Sequence, residues 1–377
     1  MNRDTMNRWL AAGMMMALLV VILGPFRVVT AHSAPLTVSS SPAVDSAKYW
    51  TPEKMKAAIP ADVVRDDSPI VPAMVPQPTG TPGFVGGSRP GKSGSQDLKL
   101  TPQSLLDESI RESALPLSEP PALADGPYPG PNDTFEYFPR YTRYPISTIG
   151  KLFFSEPSGE FVCSAAVVGG GSALNIIWTA GHCVANGGTS TFYSNWLFCP
   201  SYDVSQGGPN PAVGCWSGTV ATTTSEWFVN GALTRDYATI TLQHSGTVIN
   251  ADVATVTGVL GFAWNFPRDQ HWLHFGYPSA SPYTGGKIIE TAAEHRYDDV
   301  PDNLGPPTNS WGSGQTPGSS GSALILAFSY TGGGYINSNV SYYYTNPNQY
   351  GVELQGPYFD SETCTLWKGS TGYTGNC

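Results

Sequence analysis

Ile176-Ile177-Trp178-Thr179-Ala180-Gly181-His182-Cys183 runs from an apolar strand through two small residues to a histidine and a cysteine. Two later segments share its plan of a polar group placed beside a strand. Thr234-Arg235-Asp236-Tyr237-Ala238-Thr239-Ile240 sets an acid at the mouth of a strand, and Pro317-Gly318-Ser319-Ser320-Gly321-Ser322-Ala323-Leu324 sets a glycine-flanked serine before one. Each alone has a plain reading: a buried core histidine, a turn-forming aspartate, a flexible Gly-Ser loop. Together, in the order His, Asp, Ser, they supply the groups that make a serine hydroxyl nucleophilic. An imidazole (His182) takes the proton of Ser320, and a carboxylate (Asp236) fixes the imidazole tautomer and stabilises the imidazolium. Small residues around the serine let the backbone N–H groups of Gly318 and Ser320 act as an oxyanion hole.

Working outward, composition changes near Tyr141. From there short apolar runs alternate with Gly, Asn, Pro and Ser clusters: Ile149–Phe154, Phe161–Val168, Asn175–Thr179, Tyr237–Leu242, Val253–Leu260, Trp272–Gly276, Ala323–Phe328 and Tyr335–Tyr344. Many short strands at this spacing predict an all-β barrel or sandwich, with no sustained helical periodicity and no internal repeat. The 377-residue chain holds 42 Gly, 33 Pro and 19 Tyr, which suits strands and turns. Its net charge is −10, with no Lys/Arg block, so it carries no electrostatic footprint for nucleic acid.

Residues 1–33 read as an export signal. Arg3 and Arg8 form a basic start, Leu10 to Leu23 is almost wholly apolar, and Gly24-Pro25 ends it. Small residues at Thr30, Ala31, Ser33 and Ala34 place cleavage near Ala31 or Ser33. The competing reading is a membrane anchor. The run is short against the ~20 residues a spanning helix needs, and Arg27 interrupts its continuation, so a secreted protein without stable membrane association is expected. Residues 34–140 are rich in Pro, Ser and Ala and lack cysteine. They read either as a propeptide with little core of its own or as a disordered leader. Thr51-Pro52 and Thr101-Pro102 each set a capping hydroxyl before a proline suited to the first helical position, and Leu105, Leu106 and Ile110 could line one stripe behind the second.

All six cysteines, Cys163, Cys183, Cys199, Cys215, Cys364 and Cys377, follow residue 160. Fifteen pairings are possible, and the spacing matches no zinc site, so a disulfide framework in an oxidising compartment is expected. His271 and His274 are three apart and on a strand would face opposite ways, so no metal or other cofactor is expected. Asn132-Asp133-Thr134 and Asn339-Val340-Ser341 match the glycosylation pattern, which is frequent by chance. Tyr342–Tyr344 reads as strand packing.

The T-A-G-H-C, D-Y-A-x-I and G-S-S-G-S segments resemble those of the chymotrypsin-like (trypsin fold) serine peptidases, and the last is closest to the bacterial glutamyl endopeptidase-like branch. Phe161 to Val168 and the Phe275-Gly276-Tyr277-Pro278 stretch are similar to supporting strands of that branch. The resemblance covers residues 141–377. It implies a double six-stranded β-barrel with the triad in the cleft between barrels, acting as a monomeric endopeptidase on protein or peptide substrates through an acyl-enzyme. It also implies a Cys163–Cys183 bridge pinning the His182 loop; proximity suggests Cys199–Cys215 and Cys364–Cys377.

The chain departs from animal trypsins at Ser319, where they carry the aspartate that receives a new N-terminal amine. The leader is therefore expected to act as a folding aid or an inhibitor instead. Pro317 restricts entry to the oxyanion turn. The resemblance puts the primary pocket between Gly312–Thr316, which has no acid, and Ile336–Ser341, which has no histidine. Thr316 and Asn339 are the pocket candidates, and an uncharged side chain is the expected occupant. The alternative from another class is a catalytically silent relative that binds at the cell surface.

Overall fold

The computed structural model describes residues 36–39, 45–74, 80–91, 134–136, 142–206, 208–330, 332–345 and 353–377. The export signal, the Thr101-Pro102 helix start and Asn132 lie outside these. Five strands come from the N-terminal segment: β1 (Leu36–Ser39), β2 (Ile59–Pro60), β3 (Val63–Arg65), β4 (Gly83–Val85) and β5 (Thr134–Glu136). Then follow β6 (Ile149–Glu156), β7 (Gly159–Val167), β8 (Ile176–Thr179), a small hairpin of β9 (Ala185–Asn186) and β10 (Thr191–Phe192), β11 (Ser194–Pro200), β12 (Trp216–Thr223) and β13 (Ala238–Leu242). The last group is β14 (Gly261–Trp264), β15 (His271–Gly276), β16 (Ile289–Asp299), β17 (Thr308–Gly312), β18 (Ala323–Ser329), β19 (Gly333–Asn339), β20 (Tyr342–Tyr344) and β21 (Glu353–Gly356).

Six strands close into a barrel in the order β12-β11-β6-β7-β8-β13, with β13 pairing back to β12. Successive residues of β6 point to opposite faces, so its continuous buried run lines both. Leu152 and Phe154 pack with Cys163, Ile177 and Trp196 inside this barrel, while Phe153 joins Val162, Trp178 and residues of the second sheet such as Phe262 and Ile336. That second sheet runs β3-β20-β21-β17-β16-β15-β18-β19-β14-β4, with β5 on β16. The protein is thus mostly β, one closed six-stranded barrel beside a second sheet. Among the described residues no pairing closes the second sheet.

Two of the expected elements differ. Val253–Leu260, read as a strand, is instead the short helix Val253–Thr257. The Asn175 side chain accepts from the Val253 backbone N–H at 3.1 Å, and Gly258 at φ 77° ends the turn, so tertiary contacts override the β-branched preference. Ser361–Thr371, where the sequence shows no helical periodicity, is an eleven-residue helix. Asp360 and Thr363 form its capping box, and buried Leu366 and Trp367 hold it on the sheets.

The described residues of the N-terminal segment join the core of the rest. Asp45 caps the helix Ser46–Tyr49, and Thr51 caps Pro52–Ala57 as its Thr-Pro pair foretells. Trp50 and Met55 are buried in the shared core, and Trp50 Nε1 donates to Asn195 O at 2.6 Å.

Candidate functional site

The register of β8 and β13 builds the first half of the site. Ala238 stands opposite Thr179 in an antiparallel pair, so the residues just after β8 and just before β13 leave the sheet at the same end. His182 sits in the single turn Gly181–Cys183 that follows β8, and Asp236 follows the turn Leu233–Arg235 that precedes β13. Asp236 is fully buried and accepts twice from one residue: His182 N–H at 2.7 Å through Oδ1, and His182 Nδ1 at 2.7 Å through Oδ2. Gly181 makes this approach possible, because a Cβ there would stand 2.7 Å from the Trp227 ring and 2.9 Å from Asp236 Oδ1. Cys183 is bridged to Cys163 on β7, tying the turn to the barrel wall.

Two further contacts hold the aspartate. Ser341 Oγ donates to its Oδ2, and Asn339 Nδ2 donates to its backbone oxygen at 3.2 Å. One residue upstream, buried Arg235 forms ion pairs with Asp360 and Glu362 at the start of the last helix, each at 2.8 Å. Burial alone would lower the pKa of His182. The Asp236 carboxylate opposes it, Asp62 and a hydrogen bond to the Ala61 backbone add to that effect, and the net direction is upward.

The serine turn is pinned from both sheets. Ser164 on β7 donates its N–H to Ser320 O at 2.8 Å and its hydroxyl to Gly318 O at 3.0 Å, while Gly321 N–H donates to Val340 O at 2.9 Å. Gly321 takes φ 77°, and a Cβ there would fall 2.1 Å from Thr179 Oγ1. These bonds bring the Ser320 turn beside the end of β8. His182 Nε2 is buried and turned away from Asp236, with the Ala61 backbone beside the ring. Ser320 Oγ donates instead to Asp62 Oδ1 at 3.2 Å, and Gly318 N–H donates to the same oxygen at 3.3 Å.

The pocket candidates lie as follows. Thr316 donates its hydroxyl to Ala280 O at 2.7 Å. Asn339 is fully buried, accepting from Trp178 Nε1 at 3.0 Å and donating to Asp236 O and Val340 O, so its amide is committed behind the triad and is closed to glycosylation. His271 is partly exposed and His274 buried, on opposite faces of β15, and His274 Nε2 meets Ser322 Oγ at 2.5 Å. Tyr342 and Tyr344 both donate to the Asp299 carboxylate at 2.6 Å, which makes them packing residues. The remaining bridges are Cys199–Cys215 and Cys364–Cys377, as proximity suggested. The one group of possible metal ligands among the described residues is Cys163, His182 and Cys183, whose sulfurs are joined to each other.

Sequence reasoning missed Ser341 and Asp62. Ser341 lay in view as the third residue of Asn339-Val340-Ser341, but only the fold brings it against Asp236. Asp62 carries no local signal.

No protein-family model and no curated protein matches the chain. Solved structures do. A thermostable serine protease, AL20, from an extremophilic microorganism is 32% identical, covering 60% of this chain and 98% of its own at a TM-score of 0.51. The protease Anisep from Arthrobacter nicotinovorans is 26% identical, covering 61% and 98% at a TM-score of 0.52. A Glu endopeptidase in complex with MPD aligns at 17% identity and a TM-score of 0.49, over 64% and 98%, too distant to bear on substrate choice.

Proposed function

This chain belongs to the trypsin-like serine proteases, and from that premise we propose that it is a secreted serine endopeptidase with His182, Asp236 and Ser320 as its triad. The observation that carries the reading is the double grip of Asp236 on His182. A carboxylate accepting from Nδ1 fixes the tautomer whose Nε2 lone pair faces away from Asp236 and is the one able to take a proton. Such an imidazole can take the proton of Ser320 Oγ as the oxygen attacks a peptide carbonyl.

In this reading the carbonyl oxygen becomes an oxyanion stabilised by the N–H groups of Gly318 and Ser320. Imidazolium, balanced by Asp236, then returns its proton to the leaving amine, and an acyl-Ser320 remains. Water repeats the sequence with the same base and frees the enzyme. Ser341 and Asn339 keep Asp236 in register with the ring, while Arg235 and the last helix anchor its turn. The second sheet would serve as the other wall of a double-barrel cleft. Three formed disulfides suit an exported protein.

The test is covalent labelling of the processed protein with a fluorophosphonate probe, followed by peptide mapping. The label is expected on Ser320 and absent from Ser320→Ala. A processed protein that takes no label and cleaves no peptide pool would sink the reading and leave a binding protein.

A further inference from the structure

The N-terminal segment crosses the triad. β2 lies parallel to β7, with Ile59 opposite Phe161 and Pro60 opposite Val162, and Ala61 N–H donates to Val162 O at 3.0 Å. β3 lies parallel to β20, with Val63 opposite Tyr342 and Arg65 opposite Tyr344, and Thr345 N–H donates to Arg65 O at 2.8 Å. Between them stands Asp62, whose Oδ1 accepts from both Ser320 Oγ and Gly318 N–H. Farther on, Ile70 N–H donates to Asp299 Oδ1 at 2.7 Å and Val300 N–H donates to Ile70 O at 3.0 Å.

The direction of this strand matters. Taking the proposed peptidase chemistry as given, the leaving amine must depart beside His182, which is bridged through Cys183 to β7. A substrate's C-terminal half therefore belongs on the β7 side and its N-terminal half on the β20 side. The segment Ile59–Arg65 does the opposite: it meets β7 first and β20 last. Its parallel pairing with both strands is the signature of that reversal, since a chain running the other way would be antiparallel to both.

We propose that Ile59–Arg65 is a built-in inhibitor that fills the cleft backwards, with the Asp62 carboxylate seated in the oxyanion hole. The position that a scissile carbonyl oxygen would take is held by a side-chain oxygen. A carboxylate resists attack by a hydroxyl, because its carbon is stabilised by delocalised charge and offers no amine to expel. One of the two oxyanion donors, the Gly318 N–H, binds a stable anion instead, and the same carboxylate oxygen engages the Ser320 hydroxyl. The segment thus blocks the site without presenting a peptide bond to it. Trp50 and Met55, buried upstream, and the Ile70 bonds downstream hold it from both ends.

The test uses the full chain before processing, as purified wild type, Asp62→Ala and Asp62→Asn, the last keeping the shape and losing the charge. Each is timed for fluorophosphonate labelling and for hydrolysis of a small ester, before and after nicking at a site-specific protease sequence placed at residues 75–79. Losing charge-assisted hydrogen bonds should speed labelling about tenfold or more in both variants relative to the unnicked wild type. Mass spectrometry should find no self-cleavage at Ala61–Asp62 or Asp62–Val63 in the wild type. Equal labelling of unnicked wild type and both variants would overturn the inhibitor while leaving the peptidase reading intact. Self-cleavage at either bond would overturn the reversed direction. Failure of every form to label, nicked or not, would strike the peptidase reading itself, and the inhibitor with it.

Discussion

Asp236 meets His182 at two points, the backbone N–H at 2.7 Å and the ring Nδ1 at 2.7 Å, one carboxylate oxygen to each. Both partners are donors, and Ser341 Oγ adds a third. An acceptor-only group is required. The amide of Asp236→Asn must turn its NH2 toward one of these donors, and it either loses the backbone anchor or forces the other ring tautomer. Turnover should fall roughly 10⁴-fold near neutral pH, measured as kcat on a peptide substrate. A loss under tenfold would show that the pair does not govern the base.

The acid limb of the pH profile should lie higher than that of an ordinary histidine. Burial works against a charged ring, but in the unprocessed chain Asp236, helped by Asp62 and the Ala61 backbone, raises the His182 pKa, and the Asp236 contribution remains when the N-terminal segment is gone. A raised pKa keeps the imidazolium to higher pH, and the base works only when neutral. Activity should therefore fall as pH drops through that raised value, starting from above the usual histidine range of about 6.5. In Asp236→Asn the limb should move to lower pH. The pH dependence of kcat/KM for both proteins checks this.

Neighbouring serines should separate function from stability. Ser320→Ala removes the nucleophile and should lower activity by about 10⁴-fold or more with the melting temperature unchanged. Ser322 has another task. Burial pushes the His274 pKa down to about 3, so that ring is neutral and depends on Ser322 Oγ for its bond. Ser322→Ala leaves a buried nitrogen unsatisfied and should cost about 1–3 kcal/mol of stability with little change in kcat. Paired thermal melts and kinetics decide between these assignments.

All six cysteines should be oxidised in the pairs Cys163–Cys183, Cys199–Cys215 and Cys364–Cys377, as mapping of non-reduced peptides would show. The bridges close short loops, each typically worth about 2–4 kcal/mol. A free thiol at Cys183 would contradict the placement of the His182 turn.

Cleavage should favour an uncharged residue before the scissile bond. Gly312 lies against the Arg296 guanidinium and opposite Glu353, but those two side chains pair with each other at 3.3 Å. With the Asn339 amide also committed, no charge is left over for a substrate by these groups. Burying an unpaired Arg or Glu costs several kcal/mol, so peptides differing only at that position should be separated by large factors in kcat/KM. Preference for Arg, Lys or Glu would locate a partner elsewhere.

What the sequence revealed follows from how local the determinants are. His182, Asp236 and Ser320 each sit within a few residues of an apolar strand, and strand ends leave a pattern. Ile149–Phe154 is readable as a strand because Ile149 and Leu152-Phe153-Phe154 form a short apolar run between turn residues. Asp62 was not readable, since its partners lie 256 and 258 residues away and its own neighbours are an ordinary Ala and Val. The helix at Val253–Thr257 was hidden for a related reason: Asn175, on the far side of the barrel sequence, decides it. The last helix starts from a cap and has only Cys364, Leu366 and Trp367 as apolar residues, too few to leave a helical period in the sequence.

The Arg235 clamp has a consequence for biosynthesis. His182 and Asp236 leave a ribosome or an export channel well before Asp360 and Glu362, the two acids that neutralise the buried guanidinium beside the triad. Until they emerge, Arg235 has neither counter-ion and no reason to leave water, so the turn holding Asp236 stays unseated. Residues 61 and 62, by contrast, emerge first. In chain order, Asp62 therefore precedes the catalytic pair, and the acids that neutralise Arg235 follow it.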